Sequence, residues 1–110
     1  MDQIALLYTT WPDAETAERA AEAAVGERLA ACVNILGEGR SIYRWNGQVE
    51  RAAETIALFK TTTVLASRLK QLIVDFHPHE TPAVICLDVQ NQGSNSAFLG
   101  WVAEQTGEPS

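Results

Sequence analysis

The dipeptide Asn46-Gly47 is the feature of this sequence that most constrains its fold. Both residues tolerate positive φ, which the two central positions of a type I′ turn require, and this turn has the twist of a β-hairpin. Ile42, Tyr43 and Trp45 precede the turn and favour an extended arm, and another strand-forming run follows it. The sequence therefore predicts a long hairpin with two large aromatic side chains near its tip. A small body cannot bury such a tip, so we expect it to contact another subunit.

The rest of the chain alternates between strand and helix patterns. The predicted elements are a strand at 3–10, a helix at 14–29, a strand at 30–36 that bulges at 37–39 and resumes at 41, a strand at 48–62, a helix from about 64 to 76, a strand at 83–89 and a short helix at 97–105. Helix caps are predicted at Asp13, at Thr62 or Thr63, and at Asn95 or Ser96. The apolar face of the second helix is predicted to include Val64 and Phe76.

This order predicts an α+β fold of the ferredoxin-like, split βαβ type over a single domain, 1–110. Right-handed crossovers place the two main helices on one face of a four-stranded antiparallel sheet, with an extended hairpin between the second and third strands and an added C-terminal helix. The first and last strands are both apolar and leave little surface for water, so the second face of the sheet has to be covered. This is a second reason to expect an oligomer.

Composition narrows the class of protein. Apolar residues make up 46% of the 110 residues and charged residues 20%, which is typical of a globular domain. The net charge of −6 argues against a nucleic-acid or anionic-membrane partner. No basic segment or long apolar run follows Met1, so a cytoplasmic protein is expected. Cys32 and Cys86 lie in apolar runs and are predicted to be buried, reduced thiols.

Several motifs agree with a known family. They are TWPD at 10–13, LAACVNI at 29–35, SIYRWNG at 41–47, KTT at 60–62, HPHETP at 77–82 and FLGW at 98–101. In this order they resemble the CutA divalent-cation tolerance family. The resemblance implies a ferredoxin-like homotrimer whose hairpins wrap neighbouring subunits, similar in outline to the PII signal-transduction proteins. It also implies a link to divalent metal ions, copper especially, and no catalytic reaction.

His77, His79 and Glu80 are the densest group of metal-type ligands in the sequence. Imidazole nitrogen suits copper, zinc and nickel, and a carboxylate can complete such a site. Because Pro78 separates the two histidines, their rings are predicted to point in different directions. The alternative is that His77 ends the second helix, where it interacts favourably with the helix dipole.

The resemblance also bears on which metal ligands this chain retains. In some bacterial relatives copper binding is ascribed to a cysteine that ends the first strand and to an adjacent pair of histidines. Here Thr9 stands at the cysteine position and Phe76 at the first histidine, so only His77 matches. We therefore predict that copper binding is weak and depends on His77.

A second candidate site comprises Tyr43, Trp45, Glu50, Glu54 and Lys60. The resemblance to PII proteins places them around an inter-subunit cleft for a small anionic or nucleotide-like ligand. The alternative is that the aromatic rings pack against a neighbour while the charged groups form interfacial hydrogen bonds.

The catalytic motifs are absent from the sequence: it has no nucleophile elbow and no Cys–His signature, so no catalytic residue and no enzyme activity are predicted. The leading hypothesis is a cytoplasmic trimer in metal tolerance that binds divalent metal weakly. The alternatives are a PII-like ligand-sensing scaffold and a structural interaction trimer, either of which can have a further protein partner.

Overall fold

A computed structural model describes residues 2–108; Met1, Pro109 and Ser110 of the predicted domain lie outside the described residues. The elements are β1 (Ile4–Trp11), α1 (Ala14–Gly26), β2 (Cys32–Trp45), β3 (Gln48–Thr62), a 3₁₀ turn (Thr63–Leu65), α2 (Ala66–Phe76), β4 (Val84–Asp88) and α3 (Ser96–Glu104). Their order confirms the predicted succession of strands and helices. None of the helices in this described range is both long and apolar enough to cross a membrane.

The four strands form one antiparallel sheet in the order β2-β3-β1-β4. The register places Leu7 of β1 opposite Phe59 of β3 on one side and opposite Cys86 of β4 on the other. Since side chains alternate along a strand, Leu7 and Phe59 share one face, and both are fully buried beneath the helices. The predicted ferredoxin-like fold is confirmed.

The helices reach the sheet through small or branched side chains. α1 buries Ala17, Ala20 and Ala24, a narrow stripe that lets its backbone approach the strands closely. α2 buries Leu69 and Ile73 on the same face. The core therefore lies between one sheet face and these two helices.

The hairpin of β2 and β3 projects beyond this core. Asn46 has a φ of 49° and Gly47 a φ of 74°, so both central residues adopt the positive φ predicted for the turn. The register shifts between Leu36 and Glu38, which confirms the predicted bulge. Trp45 at the tip is 64% exposed. The radius of gyration is 14.7 Å, above the about 13 Å typical of a compact chain of this length, because the arm extends the longest dimension to 48 Å.

Several local predictions are wrong. α1 ends at Gly26 rather than near Leu29, because Arg28 turns the chain with a positive φ of 59°. Neither Thr62 nor Thr63 caps a helix through its side chain; the Thr63 hydroxyl donates to the Gln3 carbonyl instead.

Other side chains predicted to be buried are exposed. Val64 is 84% exposed because it precedes the buried stripe of α2, and Phe76 is 42% exposed at the opposite end of that helix. Cys86 is exposed because β4 is an edge strand, and Cys32 is only half-buried. The thiol of Cys86 therefore lies outside the core.

The sheet face opposite α1 and α2 is covered at one end only. α3 packs Leu99 and Val102 against Ile4 and Ala31 there. Beyond α3 the face is apolar and largely open; Ile85 of β4, for example, is 53% exposed. We call this surface the open face, and it agrees with the uncovered second face expected from the sequence.

Candidate functional site

The loop between α2 and β4 carries the three predicted metal ligands. His77 is the C-terminal cap of α2, and its backbone N–H donates to the carbonyl oxygen of Ile73 at 3.0 Å. The ring lies against the end of β1, and the residue as a whole is 8% exposed. The end of α2 therefore places the imidazole beside the end of β1, an element far away in sequence.

Both ring nitrogens of His77 have backbone partners. Nε2 lies 2.8 Å from the carbonyl oxygen of Thr10, and the backbone N–H of His79 donates to Nδ1 at 3.1 Å. A carbonyl oxygen can only accept, so Nε2 carries the proton and Nδ1 is the acceptor. The hydrogen bonds thus define the neutral Nε2–H tautomer.

Trp11 packs against one face of the His77 imidazole. Its ring stacks on His77 with centroids 4.5 Å apart and an interplanar angle of 28°. Its indole Nε1–H donates to the Thr9 hydroxyl at 2.7 Å, and that hydroxyl donates to the carbonyl oxygen of Ala57 at 2.8 Å. Sequence reasoning missed Trp11 as part of this site, although TWPD belongs to the motifs that carried the resemblance.

His79 and Glu80 extend the site into solvent, and both are exposed. The His79 ring lies 4.9 Å from that of His77 at a tilt of 52°. The two rings are therefore tilted relative to each other, but they lie close together because the loop folds back through the His79 N–H. In the part of the chain that the structure describes, no three or more His, Cys, Asp or Glu residues are placed to hold a metal ion. The donor set does not fit a preformed metal site within one chain.

The residues of the second candidate site are spread along the hairpin. Tyr43 is paired with Glu50, and Trp45 follows close to the tip. Lys60 lies ten residues beyond Glu50 on β3, which corresponds to about 33 Å along a strand. One chain therefore does not bring these residues together, and a shared cleft requires more than one subunit.

Lys60 occupies a distinctive place beside the open face. Its Nζ lies 3.6 Å from the Cys32 sulfur and 5.4 Å from the centroid of the Phe98 ring. The ion pair found within residues 2–108 is Arg19–Glu15, so no described carboxylate neutralises Lys60. The ammonium group is thus half-buried against a thiol and an aromatic ring.

An open cavity of about 370 Å³ lies elsewhere, between the turn that follows α1 and the side of α2. Arg68, Gln71 and Asp75 are among its lining residues, and Gln71 donates to the Asp75 carboxylate at 2.9 Å. None of the residues predicted for either site lines it.

Comparisons with known proteins agree with this architecture. Among solved structures, CutA1 from Oryza sativa superposes with a TM-score of 0.91 at 34% identity, covering 97% of this chain and 96% of that one. The divalent cation tolerance protein from Thermus thermophilus gives a TM-score of 0.86 at 40% identity, covering 97% and 100%.

Sequence comparisons give the same family. The divalent-cation tolerance protein CutA of Pyrococcus horikoshii is 41% identical over 101 residues, which is 92% of this chain and 96% of that protein. The model of the family described as "CutA1 divalent ion tolerance protein" matches residues 5–105. The chain therefore belongs to the CutA family of divalent-ion tolerance proteins.

Proposed function

We propose that this chain acts in tolerance to divalent cations as a cytoplasmic homotrimer that catalyses no reaction. The family is named for tolerance to divalent ions and not for a reaction, which supports the first part. The open face of the sheet is the main support for assembly into a trimer. The hairpin and the two sheet edges support it further.

The open face is too apolar to favour a monomer. It includes exposed or half-buried residues from all four strands: Leu6, Tyr8, Leu36, Leu58, Ile85 and Leu87. Monomeric proteins rarely expose contiguous apolar patches of this kind, and burying one is the main driving force for association. Other copies of this chain can cover this face when they assemble around it.

The sheet edges favour a closed ring of copies. β2 and β4 form the two edges, and each presents backbone N–H and C=O groups that the sheet does not pair. Contact between the β2 edge of one copy and the β4 edge of the next is head-to-tail, and such contacts close into a ring when the rotation allows. A ring of three is the arrangement implied by the motifs of the sequence.

We further propose that direct metal binding is weak and falls to His79 and Glu80. They offer one imidazole and one carboxylate, fewer than the three or four protein ligands of typical zinc sites. Copper is the favoured ion, because Cu(II) binds most tightly of the first-row divalent metals at a given nitrogen and oxygen site. Tolerance then does not depend on sequestering metal in a deep site.

Assembly and tolerance can be tested together in cells that lack their own copy of this protein. Ile85→Arg places a charge on the open face, whereas Val64→Arg places the same charge at a position that is 84% exposed and off that face. We expect wild type and Val64→Arg to restore growth in raised Cu(II), and Ile85→Arg to fail and to remain monomeric. Restored tolerance from a monomeric Ile85→Arg variant would contradict the proposal.

The environment of Lys60 supports a second candidate function, that of a PII-like scaffold that senses a small anion. An ammonium group without a described carboxylate partner is suited to an anionic group from a ligand or from a neighbouring subunit. Calorimetry with Cu(II) and with a panel of nucleotides on one preparation separates the two functions. Nucleotide binding that disappears in Lys60→Gln would favour the scaffold, and Cu(II) binding alone would favour metal tolerance.

A further inference from the structure

The metal part of the proposed function depends on which donor atoms of the HPHETP loop, residues 77–82, a metal ion can reach. A histidine coordinates through a nitrogen lone pair. In His77 that lone pair is on Nδ1, and it accepts the backbone N–H of His79. The other nitrogen carries its proton toward the Thr10 carbonyl oxygen. A metal ion at either nitrogen therefore has to break a backbone hydrogen bond.

Breaking either bond leaves a backbone group without the partner of a part-buried hydrogen bond. His77 is 8% exposed, and Trp11, which is fully buried, covers one face of the ring. A part-buried backbone group that loses its hydrogen-bond partner destabilises the fold. Loss of the Nδ1 bond also releases the turn that folds His79 back over His77. Coordination by His77 is thus opposed by the loop's own structure.

The side chains of Thr9 and Phe76, near His77, offer no free ligand to a metal ion. The Thr9 hydroxyl is fully buried and is occupied by the Trp11 indole and the Ala57 carbonyl oxygen. Phe76, beside His77 in sequence, has no donor atom. Neither Thr9 nor the side chain of Phe76 therefore supplies a second ligand beside His77.

We infer that His77 is a positioning residue that ties the HPHETP loop to the end of β1, and that it is not a metal ligand in the folded chain. Its imidazole connects three segments: the last turn of α2, the carbonyl group of Thr10 and the amide of His79. The accessible donors of the loop are then the exposed side chains of His79 and Glu80. This inference refines the metal part of the proposed function and rests on it.

Long-range ¹H–¹⁵N correlation spectra of the imidazoles of the wild-type protein test this directly. We expect His77 to show the Nε2–H tautomer, with an unprotonated Nδ1, both before and after titration with Zn(II). His79 should show the metal-induced shifts. A His77 that adopts the other tautomer, or whose ring nitrogens shift on metal binding as a ligand's do, would overturn the inference.

Variants provide a second readout with Cu(II). His77→Gln keeps an N–H that can donate to Thr10, and His79→Ala removes the exposed imidazole. We expect His79→Ala to lose the Cu(II) binding of the wild type and His77→Gln, confirmed as folded by its spectrum, to keep it. The reverse result would overturn the inference. If the wild type binds neither metal while His77 shows the expected tautomer, the assignment of His77 stands and the proposed metal binding fails.

Discussion

At the scale of single residues, the most informative contacts join parts of the chain that are far apart in sequence. Arg28 adopts a positive φ of 59°, and its side chain donates from Nε to the Gly107 carbonyl oxygen and from Nη2 to that of Glu104, both at 2.7 Å. The Gly107 N–H donates back to the Arg28 carbonyl oxygen at 2.9 Å. This one residue therefore both ends the turn after α1 and fixes the C-terminal end of α3.

Replacing Arg28 tests the two roles separately. Arg28→Ala loses both side-chain hydrogen bonds and keeps the unfavourable backbone, so we expect a loss of about 2–3 kcal/mol. Arg28→Gly loses the same bonds but relieves the backbone, so it should remain about 1 kcal/mol more stable than the alanine variant. Urea unfolding at one protein concentration measures both. An alanine variant at least as stable as the glycine variant would show that the positive φ is not retained in solution.

At the scale of elements, the capping of α1 shows how a local sequence signal operates. The Asp13 carboxylate accepts from the backbone N–H of Thr16 at 2.8 Å and from its hydroxyl at 2.7 Å. The Thr16 backbone hydrogen bond, followed by that of its hydroxyl, lowers the pKa of the Asp13 carboxyl group below its ordinary value. The cap thus favours the ionised carboxylate in the folded protein.

The pKa of Asp13 predicts a pH dependence. A carboxyl group whose pKa is lowered on folding stabilises the fold above its unfolded-state pKa, and this contribution is lost as the pH falls through the folded-state pKa. We therefore expect the stability of wild type relative to Asp13→Asn to decrease between neutral pH and the acid range below the ordinary aspartate pKa. Thermal unfolding of both proteins across that range measures the difference. A constant difference would contradict the cap.

Backbone conformation predicts opposite effects of substitution at two glycines, one in the hairpin turn and one at the end of α1. Gly47 has a φ of 74° with open space where a side chain would extend, so Gly47→Val strains the backbone alone. We expect it to destabilise the protein by about 1–2 kcal/mol. Gly26, at the end of α1, also has open space but no positive φ, so Gly26→Ala should be neutral or stabilising by up to about 1 kcal/mol. Equal melting temperatures for wild type and Gly47→Val would contradict the importance of the turn.

Local signals predicted most elements, and long-range contacts decided the rest. Asn46-Gly47 and Asp13 act through neighbours a few residues away, so their turn and cap were readable in the sequence. The early end of α1 was not, because Arg28 is held by groups 76 and 79 residues away. The same holds at the candidate site: the partner of the His77 Nε2 is 67 residues distant, so its role was not visible in the spacing of ligand-type residues.

At the scale of the whole molecule, the chain is a single sheet with only one face fully covered by helices. One sheet face is buried under α1 and α2, α3 covers one end of the other, and the rest of the open face and the aromatic hairpin tip remain exposed. Lys60 and Tyr43 of the second candidate site are separated along the hairpin in one chain. Assembly would cover the open face and bring Lys60 and Tyr43 of one copy close to residues of neighbouring copies.

Sedimentation equilibrium of the wild-type protein is the most direct test of this account. We predict a single species with three times the 12.0 kDa chain mass, persisting on dilution. Ile85→Arg should shift that mass toward one chain, while Val64→Arg should leave it unchanged. A wild-type mass of one chain at low concentration would contradict the claim that the open face is an interface between copies of this protein.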